Sequence, residues 1–542
     1  MRQVEFERAL TRRVDRRRLI VGTGAGLGIT LSAAGFPTRL VGARQATPVA
    51  TPTLGGSPFS LGVASGDPLP DSVILWTRLA VDPLAEDGLG GMDQAPVEVS
   101  WELASDEAFG TVVQSGVEVA SPELAHSVHV DIAGLEPARE YFYRFMVGGE
   151  VSPVGRTKTA PAAGAPLDRV RFALATCQNW EAGYFGAYRH MLQDDLDLVL
   201  FLGDYIYEGG DAGEEAIAAG SAVRRHSGGE TQTLIDYRLR HSLYKTDADL
   251  QAAHAMFPFV ATWDDHEVVN DYAALHDEAG TPEELFAERR AAAYQAYYEN
   301  MPLRAASMPE GPSMPIYRRL TFGDLAEFSV LDTRQYRTDH PCGGGEQASC
   351  EAALDPRSTM LGPQQEQWLL AGLDRSTVAW NVIAQQVLMA ELNHREAPSN
   401  YFWTDGWDGY IGARNRLLTH IESRQIANPV VVTGDWHCAF VNDVRLDFAD
   451  DTSPTVASEF VVTSISSQGD STGYGDYYGP MIPYNPHIKY FADQRGYQRV
   501  EITPELWRTD LQMMDTVLTQ DAGISTAASY VVESGQAGPK PA

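Results

Sequence analysis

The side chains best suited to chemistry stand where short apolar runs stop. Ala173-Leu174-Ala175-Thr176 ends at Cys177, and Leu198-Val199-Leu200-Phe201-Leu202-Gly203 ends at Asp204, with Tyr207 three residues on. Phe259-Val260-Ala261-Thr262-Trp263 leads to Asp264-Asp265-His266, and Val430-Val431-Val432-Thr433-Gly434 leads to Asp435 and then His437. Thiolate, phenolate, carboxylate and imidazole are the donors that proteins offer to transition metals and hard cations. An aspartate at a strand end can bridge two cations through its two oxygens, and a residue three positions on can turn back to the same ion. A phenolate from Tyr207 would suit Fe(III). Four such endings in one chain predict a polynuclear metal centre at the carboxyl ends of buried strands.

Taken singly, each ending has a plainer reading. Asp204 reads equally well as a turn aspartate beside two packed tyrosines, with Tyr205 directed into packing, and Cys177 alone would be a buried, inert thiol. Asp264-Asp265-His266 also resembles an N-cap followed by an exposed helical turn. Cost favours ligands there, because so many ionisable groups after an apolar strand are expensive to bury without cations. Asp265 is the first choice, with Asp264 and Asn270 competing as donors, and His266 would stabilise or protonate a leaving oxygen. Alternation places Asp435 and His437 on one side of their strand, within reach of a common site. Arg334, just past the run Glu327–Leu331, could grip a phosphate bidentately, or form a solvated salt bridge. His394 and His487 belong to no pattern and read as structural or rim residues.

Positioning these groups takes alternating strands and helices. Runs at 327–331, 381–384 and 460–462 read as strands. Thr281-Pro282-Glu283-Glu284 opens a helix with capping-box spacing, Leu361-Gly362-Pro363-Gln364 opens another, and Ala413–Arg424 is amphipathic. This pattern predicts a layered α/β domain over 168–520. Upstream, residues 57–160 hold short alternating runs, among them 73–77, 97–101 and 141–145, and read as a small all-β sandwich. Gly134-Leu135-Glu136-Pro137 before Tyr141 resembles the turn of fibronectin-type sandwiches, and 159–166, rich in Ala and Pro, reads as a linker.

The 542 residues suffice for at least two domains, and the net charge of −32 is masked by nine arginines within 1–46. So acidic a body argues against nucleic-acid binding as a primary role. A small anionic substrate would then need local positive charge, which metals would supply. Asp15-Arg16-Arg17-Arg18-Leu19-Ile20 precedes a short Gly- and Ala-rich apolar stretch, so 1–46 reads as an export signal. The stretch is too short and glycine-rich for a stable membrane span, and a basic tail before a short helix is the alternative. The paired arginines resemble the twin-arginine signal, which implies export of folded protein by the twin-arginine translocase. Outside the cytoplasm, Cys342 and Cys350 would form a disulfide.

Ala175-Thr-Cys-Gln178, Gly203-Asp-Tyr-Ile-Tyr-Glu208, Trp263-Asp-Asp-His-Glu267, Leu331-Asp-Thr-Arg-Gln-Tyr336 and Gly434-Asp-Trp-His437 together resemble the PhoD family of alkaline phosphatases and phosphodiesterases. Phe59–Pro68 with Trp76-Thr-Arg78 is similar to that family's N-terminal domain, and Asn485–Tyr490 with Gln494–Tyr497 to its C-terminal signature. The resemblance implies a calcineurin-like metallophosphoesterase core, a four-layered α/β arrangement of a two-sheet β-sandwich flanked by helices. It also implies one Fe(III) and two Ca(II). Cys177, Asp204 and Tyr207 would lie on iron, Asp435 and His437 would complete the cluster, and Asp265 with Asn270 would face calcium. His266 and Arg334 would hold the phosphate and assist departure of the alcohol. The function expected is a secreted, periplasmic or cell-wall phosphatase that scavenges phosphate from small mono- and diesters. Metal-activated hydroxide or oxide would attack, without a phosphoserine intermediate. The competing readings are a phospholipase D-type phosphodiesterase and a non-catalytic calcium-binding surface protein.

Overall fold

The computed structural model describes residues 56–542 apart from 397–398, 451 and 471–472. The export signal expected within 1–46 lies outside them.

The apolar runs that end in ligand residues are strands. Val170–Ala175, Leu198–Leu202 and Pro258–Thr262 pair in parallel, with Val199 opposite both Ala173 and Phe259. They are the middle of a ten-stranded sheet, which Gly496–Ile502, Leu506–Met514, Ile524–Glu533 and Lys540–Pro541 extend on one side. A seven-stranded sheet contains Arg318–Phe322, Ala326–Val330, Trp380–Gln385, Pro429–Thr433, Thr455–Val461, Ala439–Arg445 and Ile488–Ala492, in that spatial order.

Parallel strands covered on both faces must be apolar on both, which is why these runs read as continuous rather than alternating. Leu174, Leu200, Leu202 and Val260 turn inward against Phe328, Val382, Val430 and Val432 of the second sheet. On the opposite face, Ala175, Val199, Phe201 and Ala261 meet Tyr188, Tyr237, Tyr244, Tyr294 and Tyr297. Those tyrosines come from the helices Gly186–Met191, Leu234–Lys245 and Glu283–Asn300. Beyond the second sheet, Ile383, Val431 and Ala457 pack on Leu369, Leu373, Leu417 and Ile421 of the helices Gly362–Arg375 and Ile411–Arg424. The result is four layers, helix–sheet–sheet–helix, and each fully buried Leu or Val contributes roughly 1.5–3 kcal/mol. Among the described residues no helix is long and apolar enough to cross a membrane.

The helix after Thr281 starts at Glu283 without a side-chain cap. Thr281 sits one residue too early and donates to Asp277 Oδ2 at 2.6 Å. The N-terminal strands do form a sandwich, with Leu103, Tyr143 and Phe145 against Val73, Leu75 and Val130. The turn before Tyr141 behaves as its motif suggests, the tyrosine hydroxyl accepting from the Glu136 amide at 3.0 Å. This sandwich is not separate from the rest. Val63–Leu69, Ser72–Arg78 and Ser127–Ala133 continue the ten-stranded sheet, with Ser65 opposite Pro258. Strands after 520 extend the same sheet at its other end. The apparent linker is pinned to a hairpin, with the Gly164 amide on the Gly323 carbonyl at 3.0 Å.

Candidate metal centre

Three of the four apolar runs leave their strands through left-handed backbone. Cys177 (φ 53°), Asp204 (φ 58°), Asp435 (φ 62°) and His437 (φ 55°) all adopt it. For non-glycine residues that costs on the order of 1–2 kcal/mol each, so surrounding contacts must hold it in place. The Cys177 amide donates to the Gly203 carbonyl at 3.1 Å, and the Gln178 amide to the Asp204 carbonyl at 3.1 Å. Glycine lets the sheets close together here. A Cβ on Gly203 would overlap that of Asp264, and one on Gly434 would lie 2.6 Å from Thr176 Oγ1.

These turns converge. Cys177, Asp204 and His437 present ligand atoms within 4.8 Å of one another; so do Asp204, Asp265 and His266, and so do Asp264, Asp265 and Asp435. Asp204 belongs to the first two groups and Asp265 to the last two. Tyr207 joins the first, its hydroxyl donating to Asp204 Oδ2 at 2.9 Å and lying 3.0 Å from His437 Nε2. Ser467 Oγ lies 2.6 Å from the Tyr207 hydroxyl and 2.7 Å from the Cys177 carbonyl, with one proton to share between them.

The donor chemistry fits cations. The first group combines a thiol, a phenol, a carboxylate and an imidazole, and the third is all carboxylate oxygen. Asp204 Oδ1, Asp264 Oδ2 and Asp265 Oδ1 are buried without a hydrogen-bond partner among the described residues, a rare condition for a polar atom. Burial and the Asp204 charge push the Cys177 thiol well above its ordinary pKa, and the same two causes raise the Tyr207 phenol. Burial, against Arg334, likewise raises Asp264, and burial with the Asp264 charge raises Asp435. Burial opposes ionisation of Asp204 too, but His266 and His437 outweigh it and bring that group down to about 2. Cations would relieve the remaining repulsion and take the places of the retained protons.

Several residues sit differently from expectation. Asp435 and His437 lie beyond the strand Pro429–Thr433, on the turn after it, and serve different groups. Their convergence comes from left-handed backbone rather than from strand alternation. Asn270 follows on the same turn: its amide nitrogen Nδ2 reaches Glu278 at 3.4 Å, and its backbone donates to Glu208 at 2.8 Å. Arg334 is fully buried. Its Nε donates to Asp264, Nη1 donates to Asp405 at 2.8 Å, and Nη2 lies 3.4 Å from Asp265 and 3.6 Å from Asp435. It is thus a counter-ion inside the carboxylate cluster, neither a solvated salt bridge nor an open phosphate clamp. His266 packs against Tyr207 with ring centroids 4.2 Å apart and planes tilted by 33°, and its Nδ1 meets Glu208 Oε2 at 2.7 Å.

Glu208 and Glu267 carry structural duties that their motifs could have signalled, since both follow a ligand aspartate within a few residues of an apolar strand. Ser467 and Asp405 had no local signal; only the fold brings them here. Asp265 Oδ2 accepts from the Asp271 amide at 2.6 Å, and Asp271 in turn lines a cavity of about 350 Å³ with His276, Glu278, Asp339 and His340. Cys342 and Cys350 form the expected disulfide next to the glycines on its rim.

The description of a PhoD-like phosphatase matches residues 172–511, and that of its N-terminal domain matches 44–161. The chain belongs to the PhoD-like phosphatase family. Alkaline phosphatase D of Bacillus subtilis (strain 168) is 48% identical over 526 residues, 97% of this chain and 88% of that protein. A solved structure of PhoD superposes with a TM-score of 0.87 at 48% identity, covering 90% of this chain and 93% of that one. The PhoD-like chain is accordingly an enzyme, a phosphatase of the hydrolase class, and the converging strand ends are its candidate metal-binding residues.

Proposed function

We propose that this PhoD-like phosphatase is a secreted alkaline phosphatase that hydrolyses small phosphate mono- and diesters at a centre of Fe(III) and Ca(II). It would leave the cell folded, by the twin-arginine route, and scavenge phosphate outside. The observation that supports this reading best is the set of three ligand groups linked through Asp204 and Asp265, with buried carboxylate oxygens left unpartnered. Cys177, Asp204, Tyr207 and His437 would hold iron; Asp264, Asp265 and Asp435, with Asp204 shared, would hold calcium. Bound there, the cations neutralise phosphoryl charge and lower the pKa of water for in-line attack.

The chain's own residues do the remaining work. Glu208 engages Nδ1 of His266 and so orients the ring, whose other nitrogen can pass a proton to the leaving alkoxide. Arg334 balances the charge of Asp264, Asp265, Asp405 and Asp435 from within, offsetting the repulsion among the carboxylates. Ser467 and Asp204 hold the Tyr207 hydroxyl from two sides.

The test is turnover of p-nitrophenyl phosphate, its bis-ester and phosphatidylcholine by the purified protein. Both aryl esters should be hydrolysed. Release of phosphatidate with negligible monoesterase activity would replace this reading with a phospholipase D-type one.

A further inference from the structure

The string Trp263-Asp264-Asp265-His266-Glu267 ends in a carboxylate that faces away from the ligand groups. Glu267 is buried at 1% exposure. Its Oε2 accepts from the backbone amides of Asp264 at 2.8 Å and Asp204 at 3.1 Å, and its Oε1 from that of Tyr205 at 2.5 Å. One side chain therefore joins two neighbouring strand ends by their main chains. Asp204 supplies two of the three ligand groups and Asp264 the third, so the same carboxylate reaches the backbone behind all of them. Gly203 already lies against Asp264 with no room for a Cβ.

We propose that Glu267 is a positioning residue for the metal centre, fixing the backbone from which Asp204 and Asp264 project and hence the spacing between ligand groups. Three amide donors need acceptors on both carboxylate oxygens. A glutamine offers one acceptor and turns an NH2 toward the remaining amide, so the shape is kept while the grip is lost. The proposal rests on reading the cluster as a metal centre.

Glu459 provides the control. It is equally buried and accepts from the amides of Met389 (2.8 Å) and Ala390 (2.9 Å), from Thr433 Oγ1 (2.8 Å) and from Asn442 Nδ2 (3.0 Å). None of those donors belongs to a ligand residue. In calcium–chelator buffers, with bound metal counted by elemental analysis, Glu267→Gln should weaken calcium binding by about 10–100-fold, the usual penalty for losing a group that orients ligands. Glu459→Gln should bind calcium as the wild type does, although both variants melt earlier when depleted of metal. Wild-type calcium binding by Glu267→Gln would overturn the proposal, as would equal weakening in Glu459→Gln, which would mean that any buried glutamate matters. Should Glu267→Gln fail to fold, Glu267→Asp is read the same way, since its shorter arm cannot span both turns: weakened binding supports the proposal and unchanged binding overturns it. If the wild type itself takes up no calcium, the metal reading fails, and the proposal with it.

Discussion

Residues 203–205 separate two buried polar networks of opposite sign. On the side of Asp204 lie Asp264, Asp265 and Asp435, sharing the single guanidinium of Arg334. On the side of Tyr205 lie Arg78, Lys245, His241 and His254. Lys245 Nζ donates to the Tyr205 hydroxyl at 3.2 Å and sits 4.4 Å from the Trp76 ring centre, while His254 Nε2 meets the same hydroxyl at 2.8 Å. Both networks contain buried atoms without hydrogen-bond partners, including both ring nitrogens of His241. The difference is in arrangement. Arg78 has its own acceptors in Ala125, Gly88, Ser242 and Asn300, and His241 lies between the rings of Tyr205 and Tyr297. Burial, reinforced by Arg78, brings Lys245 down to about 7, and burial with the Lys245 charge keeps His241 well below its ordinary value. On the basic side burial favours the neutral forms of Lys245 and His241, each in its own surroundings. The acidic side chains instead gather in groups whose ligand atoms lie within 4.8 Å of one another, as ligands do. Buried unpartnered atoms thus mark a ligand site only where donor groups converge around them.

That contrast can be broken by substitution. The largest effect is expected from Asp204→Asn, which removes the carboxylate shared by two ligand groups. Phosphatase activity should fall by more than about a hundredfold with loss of bound metal, beyond the usual effect of supporting residues. Near-wild-type activity and metal content would erase the distinction between the networks.

His266→Asn should come next. The turnover number for an alkyl phosphate should fall by about 10²–10⁴, as for loss of a general acid, and far less for p-nitrophenyl phosphate, whose leaving group needs no proton. Equal losses on both substrates would remove His266 from that role.

The smallest effect sharpens the basic side. Lys245 is held near 7 in the folded chain against an ordinary value of 10.5. Between those values the unfolded chain binds a proton that the folded chain does not, so stability contributed through this residue rises with pH from about 7 and levels off above 10.5. Lys245→Met should flatten that rise in melting temperature measured across the same range, and should leave phosphatase activity intact. An unchanged pH slope would show that Lys245 keeps its charge in the fold.

Much of the centre was legible in the sequence because its ligands follow uninterrupted apolar runs, and a strand buried on both faces cannot hide its end. Cys177, Asp204, Tyr207, Asp265, Asp435 and His437 all come together in the structure. What was not legible depends on backbone sign and on pairing between distant strands. The left-handed turns at Asp435 and His437 have no periodicity, so strand alternation could not say which ligand group each would join. Arg334 read as a phosphate grip or a solvated salt bridge because its partners, Asp264 and Asp405, lie 70 and 71 residues away in the chain. The sandwich at 57–160 was visible as strands, but nothing local says that Val63–Leu69 pairs with Pro258–Thr262.

Elemental analysis of the purified protein, followed while its metals are stripped and restored, tests the central claim most directly. The purified protein should hold iron and calcium, with phosphatase activity lost as they leave and recovered as they return. A protein free of both metals and still fully active would contradict it.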